Sequence, residues 1–300
     1  MRWKILSKIV NKKYIGIALD PIHVGAGGYR IGRVDNSIIR ELATNVPKIP
    51  GTSLAGVLRE YSTLYFMETS DELEGKNYEV KRANADKKIN VYYGDENKQG
   101  ILRFYDSQIL FFPVSSIKGT IWVTTKNLLE YYLKGQIQLS NNKMDDIDEN
   151  KAIVLRGIES TEPINLGWLL LEIEKSTENN FNLKLPADLD GLVKKIIVVS
   201  EKLFSPIVND NLEVRTSVRI DPKTGTAEDK HLFTYEAIPR GTILGLEITI
   251  DNLRESKKDV DSIINGSLAY LKMLGIGGMG TRGFGRMELF EIKSKEGGNN

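Results

Sequence analysis

Asp35 sits in the stretch GGYRIGRVDNSIIREL (27–42) among Arg30, Arg33 and Arg40, with Glu41 the one other carboxylate there. An acid placed where a polyanion binds repels it, unless the acid does chemistry or holds a metal. A carboxylate can hold Mg²⁺ or its water beside a phosphodiester. The alternative is a loop aspartate that makes a turn with Asn36 and Ser37. His23 begins the glycine-rich HVGAGGYRIG and offers a general acid or base. Its alternative is a strand-end histidine satisfied by backbone. A second glycine-rich stretch, GIGGMGTRGFGR (275–286), has six glycines in twelve residues together with Arg282 and Arg286. Glycines expose backbone N–H groups and let a polyanion approach, and arginines fork onto phosphates. A helix C-cap and a tight turn account for Gly275 and one more glycine. Gly275, Gly277 and Gly280 also match G-x-G-x-x-G, but a dinucleotide site needs strand, loop, then helix. Here a helix precedes the loop and a strand follows it, which argues against NAD and FAD.

The bulk composition narrows the chemistry. The 300 residues are 41% apolar and 27% charged, as in a globular protein. The net charge is +1, yet residues 1–60 carry ten basic and four acidic side chains, while 141–178 carry four and nine. One end of the chain is basic. There is no cysteine, which removes disulfides, thiolate catalysis and cysteine-based zinc sites and fits a reducing compartment. With only two histidines, His23 and His231, any metal should be a hard ion on oxygen ligands. No stretch has the length of a membrane span or a secretory signal, so the expectation is a cytoplasmic protein.

These residues need a scaffold. KYIGIALD (13–20) alternates as a strand. IPGTSLAGVLREYSTLYF carries Leu54, Val57, Leu58, Tyr61, Leu64 and Tyr65 on one helical stripe, with Thr52 or Ser53 as its N-cap. Residues 68–99 are polar and read as an insertion. ILRFYDSQILFFPV and GTIWVTT are strand-like, and KNLLEYYLKG is a short helix with Gly135 as C-cap. NLGWLLLEIEK (165–175) reads as one strand, and LDGLVKKIIVVS as a helix or a helix-to-strand segment. Residues 208–241 read as an extended arm or long hairpin. Within it, Arg215 and Arg219 share one strand face, and Val214, Val218 and Ile220 share the other. That pattern suits a wedge against a nucleic-acid stack, or an ordinary amphipathic hairpin. TILGLEITI is a clean strand, DVDSIINGSLAYLKMLG a helix ending at Gly275, and FGRMELFEI a final strand. The predicted class is α+β, most simply a split-βαβ sheet with helices on one face, in one domain with insertions.

HVGAGG…IGRVDNSIIRE…PKIPGTSLAGVLRE and GIGGMGTRGFGRMEL resemble the RAMP superfamily of CRISPR-associated proteins. YDSQILFFPVSSIKGTIWVTT and LEVRTSVRIDPKTGTAEDKHLFTYEAIPRGT narrow the likeness to the repeated backbone subunits of type III-B (Cmr) effector complexes, with the type III-A (Csm) backbone as near relative. The resemblance implies a ferredoxin-like, RRM-related palm with an inserted subdomain and an extended thumb hairpin at about 206–234. It implies filaments of stacked copies with other Cmr subunits along a CRISPR guide RNA, and metal-dependent cutting of the complementary target RNA. Mg²⁺ or another divalent cation is the implied cofactor.

The family's catalytic aspartate falls on Asp35, which is also the implied metal ligand. His23 matches a family histidine, and Glu236 in TYEAIPRG matches a family acid near the cleavage site. Guide and target contacts fall on Gly27, Gly28 and Arg33, on Ser53, Gly56 and Arg59 at the first helix, and on Arg215, Arg219 and Arg240. Gly277, Gly278, Gly280 and Arg282 complete the set. Free N–H groups at a helix start favour phosphate. Lys118 is a further backbone-phosphate candidate. The sequence departs from the family at Ala55, where a lysine is usual. Two other functions remain open: a structural RNA-binding subunit without catalysis, and a stand-alone nuclease acting on the guide precursor.

Overall fold

The structure, a computed structural model, describes residues 8–27, 34–134, 147–159, 162–174, 183–220, 227–253, 255 and 259–292, with backbone only at 219, 220 and 227–232. The first half runs β1 (Ile9–Ala18), β2 (Lys48–Ile49), α1 (Gly51–Thr69), α2 (Tyr78–Tyr93), β3 (Leu102–Phe104), β4 (Ser107–Ser116), β5 (Gly119–Thr124) and α3 (Lys126–Leu133). The second half runs β6 (Lys151–Arg156), β7 (Ile164–Leu166), β8 (Leu169–Glu174), α4 (Ala187–Asp190), β9 (Ile196–Val198), α5 (Glu201–Asp210), β10 (Glu213–Ile220), β11 (Ala227–Ala237), β12 (Ile243–Asp251), α6 (Val260–Leu274) and β13 (Met287–Ile292). It is a mixed α+β fold.

One sheet carries most strands in the order β13-β1-β12-β4-β5-β9-β6-β8-β7, with β2 beside β4 and β3 beside β12; β10 and β11 form a separate pair. β1 lies antiparallel between β12 and β13, and β12 is antiparallel to β3 and β4. The chain thus passes β1–α1–β3/β4 and later β12–α6–β13, so each half sends a helix across the sheet.

Alternation explains the helical face. Leu244, Leu246, Ile248 and Ile250 of β12 are all buried, against Leu54 and Leu58 of α1 and Ile263 and Ile264 of α6. Each such fully buried aliphatic side chain contributes about 1.5–3 kcal/mol. The helices approach closely because Gly266 has no side chain: a Cβ there would lie 2.4 Å from the Tyr65 ring. Residues 78–93, inside the polar stretch read as an insertion, form a helix that buries Ala85, Ile89 and Tyr92 beside α6.

Four details differ from the sequence reading. First, α3 does not join the other helices. Leu129 and Leu133 pack with Ile15, Ile17 and Ile243, the residues of β1 and β12 that point away from α1 and α6. The ends of these strands are apolar on both faces, so both need cover. Second, neither Thr52 nor Ser53 caps α1. Pro50 holds the cap position, and the Gly51 N–H donates to Asp106 Oδ1 at 2.7 Å, so a distant side chain does the work of a local cap. Third, Lys134 holds the C-cap position of α3, and Gly135 lies outside the described residues. Fourth, 165–175 is two strands, β7 and β8, because Gly167 turns the chain at φ +61°. The segment at 189–200 resolves into the end of α4 and β9, and 206–210 continue α5 before the hairpin begins.

Candidate active site and nucleic-acid interface

Three segments meet at one end of β1. They are the loop after β1, the strand β11 and the glycine loop after α6. Residues 34–38 lie along β11 as an added strand. Asn36 pairs in parallel with Tyr235, the Asn36 N–H donates to the Thr234 carbonyl at 3.0 Å, and the Glu236 N–H donates to the Asn36 carbonyl at 3.0 Å. On the other side Gly25 pairs with Ile38, and Ile22 with Ile238.

Asp35 is exposed and held by one residue of β11. The Thr234 N–H and hydroxyl each donate to Asp35 Oδ2 at 2.8 Å, and the Asp35 N–H approaches the Thr234 hydroxyl oxygen at 2.9 Å. The Thr234 N–H, then its hydroxyl, hold the Asp35 carboxyl below the usual carboxylate range. Asp35 Oδ1 accepts nothing from the described residues, so one oxygen is anchored and one is open. Among the described residues no group of three or more His, Asp or Glu side chains could hold a metal. A single open carboxylate oxygen still fits Mg²⁺, which keeps several waters and takes other ligands from substrate phosphates.

His23 is buried under the glycine loop, 7% exposed. Its Nδ1 lies 2.7 Å from the Glu236 carbonyl oxygen. A carbonyl only accepts, so Nδ1 carries the proton and Nε2 keeps the lone pair in the neutral ring. The ring meets Tyr235 edge-on at 5.7 Å. Gly278 N–H donates to the His23 carbonyl at 2.8 Å, and Gly277, at φ +86°, stands so close that a Cβ would lie 2.3 Å from that carbonyl oxygen. The fold itself therefore requires Gly277. Gly275, at φ +79°, is likewise demanded by the backbone of Gly285 against it. More of this loop is architectural than its glycine count suggests.

Glu236 is buried, and both its oxygens are engaged. Arg40 Nη2 donates to Oε1 at 2.6 Å and the Ile38 N–H donates to Oε2 at 3.2 Å. Arg40 also donates to the Ile38 carbonyl and to Asn209 Oδ1, each at 2.9 Å. Glu236 and Arg40 thus clamp the Asp35 loop to β11 and α5. Neither Arg40 nor Thr234 stood out in the sequence. Arg40 lay in plain view among the basic residues, and Thr234 opens TYEAIPRG, where Glu236 was the residue singled out.

The remaining candidates separate. The Arg215 guanidinium lies 4.8 Å from the centre of the Phe284 ring, at the glycine loop, with Nε on Glu213 Oε1 at 2.5 Å. Val214 and Val218 are about as exposed as the Arg215 side chain, at 40%, 42% and 41%. Arg240, Arg282 and Gly27 are exposed near this end, and Asp20 pairs with Arg286 at 2.6 Å. Ser53 is partly covered and Gly56 is exposed on α1. Arg59 is tied to α2 and the turn after it, donating to Asn90 Oδ1 at 2.6 Å and the Gly94 carbonyl at 2.9 Å. Lys118 pairs with Glu162 at 3.5 Å. Gly28, Arg30 and Arg33, and the side chains of Arg219 and His231, lie outside the described residues. No described helix is long and apolar enough to cross a membrane.

Comparison with known proteins adds an independent observation. Residues 17–288 match the profile of the RAMP superfamily. The CRISPR system Cmr endoribonuclease Cmr4 of Pyrococcus furiosus is 28% identical over 306 residues, covering 93% of this chain and 95% of its own. Among solved structures, the type III-B Cmr-beta complex bound to cognate target RNA contains a chain similar at TM-score 0.68 and 22% identity, covering 94% of this chain and 97% of that one. Oligomeric Cmr4 from Pyrococcus furiosus is similar at TM-score 0.61 and 23% identity, over 94% of this chain and 99% of that one.

Proposed function

The chain belongs to the RAMP superfamily, and on that premise we propose that it is the backbone subunit of a type III-B CRISPR (Cmr) effector complex. It binds the guide RNA, stacks with further copies of itself and with other Cmr subunits in the cytoplasm, and cuts the complementary target RNA. β13, β1, β12 and β3/β4 with α1 and α6 serve as the ferredoxin-like palm, and β10–β11 as the thumb. The similarity to a Cmr endoribonuclease over nearly the whole of both chains supports this reading.

The observation that carries the catalytic part is Asp35, exposed, with Oδ2 anchored and Oδ1 open, where the two glycine loops meet the hairpin. Asp35 Oδ1 would be a protein ligand of a divalent cation, which supplies charge stabilisation at the scissile phosphate and activates a bound water or hydroxyl. His23 keeps its proton on Nδ1 against the Glu236 carbonyl, so Nε2 is the atom that takes or gives a proton. Glu236, with both oxygens engaged, positions the loop and does no proton transfer. Exposed Val214 and Val218 meet the base stack, and Arg215, Arg219, Arg240 and Arg282 meet the phosphates, with Arg33, Gly27 and Gly28. Gly277, Gly278 and Gly280 offer backbone, and Ser53, Gly56 and Arg59 face the guide.

The decisive experiment is Asp35→Ala in the assembled complex with guide RNA. Cutting of target should fall by about 10²–10⁴-fold, the range of a lost acid–base or metal-holding group, with target affinity retained. EDTA should stop the wild type, and Mg²⁺ or Mn²⁺ restore it. Unchanged cutting by the variant would leave a purely structural RNA-binding subunit.

A further inference from the structure

Thr234 makes more contacts with Asp35 than any other described residue does, and it comes from a different part of the chain. Its N–H and its hydroxyl converge on one oxygen, and the hydroxyl oxygen faces the Asp35 N–H in return. A carboxylate on an exposed loop rotates freely about two side-chain bonds unless something holds it. Here both donors fall on Oδ2, which selects the orientation that leaves Oδ1 outward. The hydroxyl can donate only one hydrogen, which it gives to Oδ2, and its lone pair can then receive the Asp35 N–H. Thr234 also belongs to the hairpin, facing Thr216 of β10 in the register. The element that carries the exposed valines therefore carries the anchor of the carboxylate.

We propose that Thr234 is a positioning residue for target cutting: its hydroxyl orients the Asp35 carboxylate so that Oδ1 faces the RNA. The proposal rests on the reading that Asp35 does the cutting. Valine at 234 keeps the shape, the β-branch and the N–H bond, and removes only the hydroxyl. Serine keeps the hydroxyl and removes a methyl group. A merely structural threonine in a strand would tolerate valine better than serine, because β-branched residues suit strands. The two roles thus predict opposite orders.

The test uses the assembled complex with guide RNA and compares Thr234→Val, Thr234→Ser and Asp35→Ala. Thr234→Val should slow single-turnover cutting by about 10–100-fold, the usual cost of losing a group that orients a metal-holding or catalytic one. Affinity for a non-cleavable 2′-deoxy target should not change, and Thr234→Ser should cut at close to the wild-type rate. A structure of the Thr234→Val complex should show β11 in place and the Asp35 carboxylate turned. Thr234→Ala, which adds no apolar bulk against the exposed site, should match valine and guards against misfolding. The proposal fails if valine cuts at the wild-type rate, if serine is as slow as valine, if target affinity falls in step with cutting, or if Asp35 has not turned. If Asp35→Ala itself still cuts, the catalytic reading fails first. If Asp35→Ala is inactive and Thr234→Val is not, only the role of Thr234 falls.

Discussion

The sheet block around β1, β4 and β12 and the seam around Asp35 are neighbours held by different forces. The block is nearly all apolar: Phe111, Phe112, Ile15, Leu54 and Leu246 have essentially no exposed surface. The seam is made of backbone pairs, single side-chain hydrogen bonds and glycine turns, around a buried histidine and a buried glutamate. Hydrophobic burial is non-directional and scales with area, so the block gains stability without holding any atom to a tight geometry. Hydrogen bonds each contribute little net stability, yet they fix distance and angle. The proposed chemistry sits in the part built from directional bonds, and that part leans on the block for its stability. β1 joins the two, buried on both faces along its second half and leading directly into His23.

Substitutions can break this division. The largest effect on stability should come from Phe112→Ala in β4. Truncating a fully buried phenylalanine costs about 3–5 kcal/mol, visible as a lower urea midpoint of the isolated subunit. If that midpoint hardly moved, the block would not be the source of stability. A smaller effect should follow Glu236→Gln. One glutamine end is an NH₂, so it cannot accept from both the Arg40 guanidinium and the Ile38 N–H, and one bond is lost. Losing a hydrogen bond to a charged group costs about 1.5–3 kcal/mol. Cutting by the assembled complex should slow only partly. Abolished cutting with an unchanged melting curve would instead make Glu236 a chemical participant. The smallest effect should come from Asp20→Asn, where β1 ends. The Arg286 guanidinium holds the Asp20 carboxyl below its usual range. Such a group stabilises above its unfolded value, near pH 4, and its contribution is lost as the pH falls through the lower folded value. The variant should therefore melt slightly lower at neutral pH, by under about 2 °C for so exposed a pair, and the difference should vanish in acid. A loss as large as that of Phe112→Ala would overturn the division.

The block was readable from periodicity. The strand read at 13–20, which runs Ile9–Ala18 in the structure, the α1 stripe, TILGLEITI and the α6 helix all depend on residues within a few positions of one another, and all formed. What periodicity did not announce there also has a physical cause. The polar 78–93 helix covers its core with only three buried residues, Ala85, Ile89 and Tyr92, too few to give a periodic signal. The α1 cap comes from Asp106, 55 positions away, so no local motif announces it. In the seam, Asp35 was visible because its sign is wrong for a basic stretch. The three bonds that hold it come from Thr234, 199 positions away, and the carbonyl that sets the His23 tautomer belongs to Glu236, 213 away.

The sequence by itself therefore determined the strands and helices of the sheet block, the two glycine loops that mark one end of it, and the carboxylate to watch. Those features are written in residue type at spacings of two to four, where the chain's own geometry sets what is near what. Only the tertiary structure decided which face α3 covers, which groups cap α1, and which residues orient Asp35 and His23. A hydrogen bond needs its atoms about 3 Å apart and aligned, and between residues some 200 positions apart that condition is met by the folding of the sheet and is encoded in no local pattern.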